Sequence, residues 1–228
     1  MGDNYVDIFA TKGLEYILVI AFLATLVVFW KLLNRQQRAA AGSPSRMRRV
    51  VEWFTLGENL YYHQGHTWAN PEGANAVRVG VDDFAQKLVG KVDAVELPPV
   101  GAHLFQGEIG WKFRVGEKLV ELLSPVEGEV VAINEEARKS PELLNRDPYG
   151  RGWLMLVKLS SMKSNLRNLL SGALASAWME QTVADLRRRL SGNLGVVLQD
   201  GGVPISGIAR SISPDAWVEV TREFFLTK

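Results

Sequence analysis

The run LEYILVIAFLATLVVFWKLLN, residues 14–34, is apolar on every helical face between Tyr16 and Trp30. Core helices seldom stay apolar all round. At 1.5 Å per residue, about 20 residues cross the roughly 30 Å hydrocarbon layer of a bilayer. The pattern therefore predicts one transmembrane helix, with Glu15 and Lys31 reaching the headgroups and Tyr16 and Trp30 at the interfaces. Lys31, Arg35, Arg38, Arg46, Arg48 and Arg49 follow the apolar run, whereas only Lys12 precedes it, among Asp3, Asp7 and Glu15. By the positive-inside rule this predicts a single-pass protein of the cytoplasmic (inner) membrane, N-terminus outside and everything after the span in the cytoplasm. A cleaved signal peptide would carry its basic residues before the apolar stretch, so Ala39-Ala40-Ala41-Gly42 is not read as a cleavage site. The expected plan is an extracytoplasmic 1–13, a span at 14–34 and a basic Gly/Ser/Ala-containing tether at 35–57 that anionic lipid would attract.

Beyond Val50 the period changes. Ala76–Val81 (AVRVGV), Val92–Leu97 (VDAVEL) and Gly128–Ile133 (GEVVAI) alternate with period two between turn residues, which predicts half-buried antiparallel strands in a sandwich or barrel. Pro98-Pro99 and Pro125 end strands, because proline donates nothing to a ladder. Peripheral helices are expected at Asp82–Val89 with an Asp cap, after Ser140 with Pro141 at the first helical position, and over Ser164–Leu190, interrupted by Gly172. In the remainder, 191–228, Leu194–Gly202 reads as strand then turn, and Ser213-Pro214-Asp215-Ala216-Trp217 opens a last helix. Its Trp217, Val218, Val220, Phe224 and Phe225 need a covering surface, expected to be the body itself, with another protein as the alternative.

Composition narrows the chemistry. The 26 Lys and Arg against 25 Asp and Glu leave no positive excess for phosphate neutralisation, so no nucleic-acid partner is expected. The absence of cysteine removes disulfides, thiolate metal sites, cysteine-ligated iron-sulfur clusters and a cysteine nucleophile. His63, His66 and His103 are the only histidines, and their pattern lacks the neighbouring carboxylate that a metal site wants. No Ser-His-Asp order with a nucleophile elbow is present, so no hydrolase is predicted.

Between Tyr61 and Leu190 the motifs run in the order of a known family. His66-Thr67-Trp68, VGVDDFAQKLVGKVDAVELPPVG (79–101) and SPVEGEVVAINEEARKSPELLNRDPYGRGW (124–153), with a C-terminal helix, resemble the H protein of the glycine cleavage system. The resemblance implies a mainly β, lipoyl-type barrel-sandwich hybrid with peripheral helices, placed at 58–190. It also implies a carrier whose lipoyl group, on one lysine at a β-hairpin tip, visits the decarboxylase, the aminomethyltransferase and the dihydrolipoyl dehydrogenase. In the family that lysine lies seven residues before the Ser of Ser-Pro-Val, and here that position is Glu117. A carboxylate cannot form the amide. Lys118 is the alternative acceptor of lipoate, although a one-residue shift on a strand turns the side chain to the other face. The family's His-Glu-Trp carboxylate is replaced by Thr67, and Glu121 stands where the family has Asp.

The expectation is therefore a module that is not an enzyme, with no catalytic residue, no metal and no cofactor. It would be a docking or structural subunit at the cytoplasmic face, touching the membrane and other subunits of a membrane complex; the resemblance points to a redox complex. Trp111, Phe113, Glu117 and Lys118 are the candidate partner contacts, the two aromatics having sandwich filling as their alternative role. The rival reading is a lipoylated glycine cleavage H-type carrier tethered to the membrane.

Overall fold

The computed structural model describes residues 16–26, 48–190, 198–199, 203–204 and 206–227. The chain divides into two units, residues 1–46 and 47–228. In the first, residues 16–26 are helical (α1), and every side chain is exposed although nearly all are apolar. The Thr25 hydroxyl bonds back to the carbonyls of Ala21 and Phe22. The rest of the 14–34 run lies outside the described residues, and among the described residues no helix is long and apolar enough to cross a membrane.

The second unit begins with an antiparallel hairpin, β1 (Arg48–Val51) and β2 (Phe54–Gly57), inside the stretch read as tether. The 35–57 segment is thus not all tether. Phe54 and Leu56 are buried, and the cation of Arg187 stacks 4.7 Å over Trp53 in the intervening turn. Two sheets then make the body. The larger has six strands in the order β3 (Tyr61–His63), β4 (Thr67–Glu72), β5 (Ala76–Val81), β11 (Met155–Lys158), β10 (Gly128–Ile133) and β7 (His103–Leu104). The smaller has the order β6 (Ala94–Glu96), β8 (Ile109–Val115), β9 (Lys118–Leu123). Val77 and Val79 on β5, Val130 on β10 and Val157 on β11 lie in the same core as Phe113, Val120 and Leu122 of the small sheet. This is the β-rich sandwich with helices that the alternation and the resemblance predict.

Helix α2 (Asp83–Val89) starts where expected: the Asp82 carboxylate accepts from the Ala85 N–H at 2.7 Å. Other helix boundaries differ from the sequence reading. Asn134 caps a short α3 (Glu135–Lys139) that hydrophobic period did not reveal, and Ser140 terminates it. The following α4 (Glu142–Arg146) therefore has Pro141 at its cap position and no side-chain cap. The stretch from Ser164 is two helices, α5 (Met162–Arg167) and α6 (Gly172–Leu190). Between them Leu170 bridges Tyr62 through paired backbone bonds of 2.7 and 2.8 Å, and Gly172 turns the chain at φ +56°.

In the C-terminal part, β12 (Leu198–Gln199) pairs with β13 (Val203–Pro204); the remainder of the expected strand and turn lies outside the described residues. A helix not foreseen, α7 (Ile208–Ile212), ends at Ser213. Pro214–Ala216 form a turn, so α8 begins at Trp217 and runs to Phe225 without the Ser213 cap. Helix α8 packs on β9, and Phe225 is fully buried, so the surface that covers this helix is the body itself.

Candidate functional site: the hairpin tip and its flank

Val115 pairs with Lys118, which leaves Gly116-Glu117 as a two-residue turn between β8 and β9. Gly116 has φ +61°, whereas Glu117 is not among the positive-φ residues, the pattern of a type II′ turn with Gly first. The turn is held from below by Asp93, whose carboxylate accepts from the Gly116 N–H at 2.7 Å. Glu117 therefore stands exposed at the apex, and Lys118 is the first residue of the returning strand, also exposed.

Alternation along the hairpin sorts its side chains by face. Trp111, Phe113 and Val115 share one face with their partners Leu122, Val120 and Lys118. Trp111 is 2% exposed and Phe113 fully buried, so neither is available as a partner contact; both fill the sandwich. The sequence pattern shows that they share a face, but only the covering six-stranded sheet makes that face the inner one. On the outer face Lys112 pairs with Glu121 at 2.7 Å, Arg114 with Glu96, and Leu119 is exposed. The carboxylate of Glu121, which stands where the family has Asp, is thus paired with a lysine on the outside of the hairpin.

The amide that would carry a lipoyl group needs an amine at the apex. Glu117 offers none, and the Lys118 amine projects from a strand position rather than from the turn, so the apex does not fit the group.

At the base of the hairpin, Thr67 is buried and its hydroxyl donates to the Leu123 carbonyl at 3.0 Å, tying the large sheet to the small one. Next to it His66 adopts φ +62°, and its Nδ1 lies 2.8 Å from the Asp82 carboxylate. Its ring stacks 4.1 Å from Phe84 and 4.7 Å from Trp178. This His66–Asp82 pair is invisible in the sequence, since it joins residues across a strand pair. Tyr149, from the Asp147–Trp153 run, donates to the Thr55 carbonyl at 2.6 Å and accepts from the Asp83 N–H at 3.0 Å. Burial first, then Tyr62 and Asp82, hold its phenol well above the usual range, so it stays a donor at any physiological pH. His103 is exposed near Glu127, and among the described residues no three His, Asp or Glu side chains group to hold a metal ion.

His63 accepts the Gly65 N–H on Nδ1 at 3.0 Å, and burial, helped by His66, pushes its imidazole below the usual range. The neutral ring is the folded form. Unfolded chains protonate more readily, so the stability it contributes is complete above about pH 6.5 and lost as pH falls through the depressed folded value. Thermal unfolding followed from neutral to mildly acidic buffer should show His63→Gln losing less melting temperature than the unaltered chain; an identical acid slope would refute this role.

The model of the glycine cleavage H-protein family matches residues 60–182. A probable glycine cleavage system H protein of Pyrococcus abyssi is 38% identical over 117 residues, covering 51% of this chain and 87% of the relative. The glycine cleavage system H protein of Mycobacterium avium is 43% identical over 102 residues, 45% of this chain and 77% of its own length. The crystal structure of an H protein from Mycobacterium marinum aligns with a TM-score of 0.48 and 28% identity over 56% of this chain and 99% of that one. With more than half of its length in the family match, the chain belongs to the glycine cleavage H-protein family.

Proposed function

We propose that this chain is a membrane-anchored member of the family that keeps the carrier's fold without the carrier's attached group. It acts, with no catalytic residue, as a docking or structural subunit at the cytoplasmic face of a membrane redox complex. The observation that carries this is the turn: a carboxylate, Glu117, occupies the apex of the hairpin where an amine would have to be. The anchor is supported by the exposed apolar face all round residues 16–26 and by the basic residues that follow the run. The exposed amine of Lys118, one residue past the apex, is what favours the second reading, a tethered lipoylated carrier.

One preparation tests both parts. The chain should sediment with membranes, resist release by high salt or alkaline carbonate, and dissolve in detergent. Its intact mass, and that of the tryptic fragment containing Lys118, should be unmodified. Release by salt alone overturns the anchor, and a lipoyl adduct on Lys118 overturns the docking reading in favour of the carrier.

A further inference from the structure

We propose that the C-terminal extension, residues 206–227, is a built-in occupant of the free flank of the β8–β9 hairpin, so that a group attached at the turn finds no groove on this chain to lie in. The inference rests on the reading of Glu117 above and extends it: the chain has lost the resting place of an arm as well as its attachment point.

The small sheet is ordered β6-β8-β9, so β8 has a strand on each side while β9 has one only. A flexible group anchored at Gly116-Glu117 has one open strand edge to fold back along, that of β9, because β6 fills the other edge. That open side is where α8 packs. An edge covered in this way is also protected from pairing with another chain.

The extension is fastened to the body at two places. At the C-terminal end of α2, the Gly207 N–H donates to the Lys87 carbonyl at 2.7 Å. Gly90 (φ +85°) approaches Gly207 so closely that a Cβ there would lie 2.8 Å from the Gly207 Cα. Gly90 is three residues from Asp93, the side chain that holds the turn. Toward the base, a Cβ on Gly65 would meet the Phe225 carbonyl oxygen at 2.8 Å, and the Phe225 ring lies 6.1 Å from that of His66. Next along the chain from His66, Thr67 bonds the last residue of β9. In between, Ile208, Ala209, Thr221 and Phe225 are fully buried. From outside, Arg189 pairs with Glu223 and its guanidinium covers the Phe224 ring at 5.5 Å. Two glycine contacts too tight for any side chain, one at each place, hold the extension close against the body.

Because the chain has no cysteine, Glu117→Cys supplies a single thiol for an environment-sensitive fluorophore on a flexible linker, a stand-in for an apolar arm. On the otherwise unaltered full chain in detergent the probe should emit as in water and be fully quenched by iodide. Adding Glu223→Arg and Phe225→Ala should raise hydrogen exchange over residues 217–225, shift the emission to the blue and reduce the quenching. Should Phe225→Ala prevent folding, Glu223→Arg alone, at an exposed ion pair, weakens the same clamp. A probe already shielded on the unaltered chain overturns the proposal, as does raised exchange over 217–225 with no change in emission. Either result with an unmodified Lys118 peptide sinks this inference alone, whereas a lipoyl adduct on Lys118 sinks the reading beneath it and leaves the fluorescence result standing.

Discussion

Trp111→Ala is expected to destabilise the body by about 3–5 kcal/mol, the usual cost of truncating a fully buried large aromatic. For a folded unit of this size that lowers the melting temperature by roughly 6–20 °C. The side chain is 2% exposed and sits on the inner face of β8, opposite Leu122. Its indole N–H has no hydrogen-bond partner among the described residues. That orphaned donor sharpens the prediction. Trp111→Phe keeps most of the apolar volume and removes a buried polar atom that is already unsatisfied, so it should cost much less than the alanine variant. Circular dichroism melts of the three proteins provide the measurement. An alanine variant that keeps the parental melting temperature would restore Trp111 as a surface anchor and contradict its burial.

Asp82→Ala should be the second large loss, roughly 2–5 kcal/mol, because one carboxylate serves two places. Removing it deletes the cap of α2, typically about 1 kcal/mol. It also leaves His66, 1% exposed, with a stranded ring nitrogen, which costs a further 1–3 kcal/mol or so. Asp82→Asn retains an oxygen for the Ala85 N–H and should recover the cap contribution. Urea unfolding should show lower midpoints in the order parent, Asn, Ala, with unchanged slopes, since the surface exposed on unfolding is the same. Equal midpoints for Asn and Ala would remove the cap from this account, and a parental midpoint for Ala would remove both contributions.

These two residues show where reading the chain succeeds and where it stops. Asp82 is recognisable as a helix cap because capping is local, three residues from acceptor to donor. Its bond to His66 spans sixteen positions and depends on how β4 pairs with β5, which no spacing rule announces. Likewise the alternation of Trp111, Phe113 and Val115 predicts one shared face, yet a strand has two faces. Burial is settled by the sheet that comes to lie against one of them. Helix limits failed for a related reason. Ser140 and Ser213 both resemble start signals, but each closes the helix before it, since a Ser-Pro pair is also favourable at a stop.

What the sequence alone determined is whatever follows from near neighbours and residue chemistry. That covers the strand alternation from Ala76, the cap at Asp82, the exhaustion of cysteine chemistry, and the carboxylate at 117, which is set by counting from Ser124. Tertiary structure alone decided that the aromatics of β8 face inward, that Thr67 ties Leu123 across 56 positions, and that residues 206–227 return to cover the open side of β9. Each of these needs two segments, distant along the chain, to bury apolar surface against each other. A local pattern records that such surface exists and must be covered, and the assembled fold selects which segment covers it.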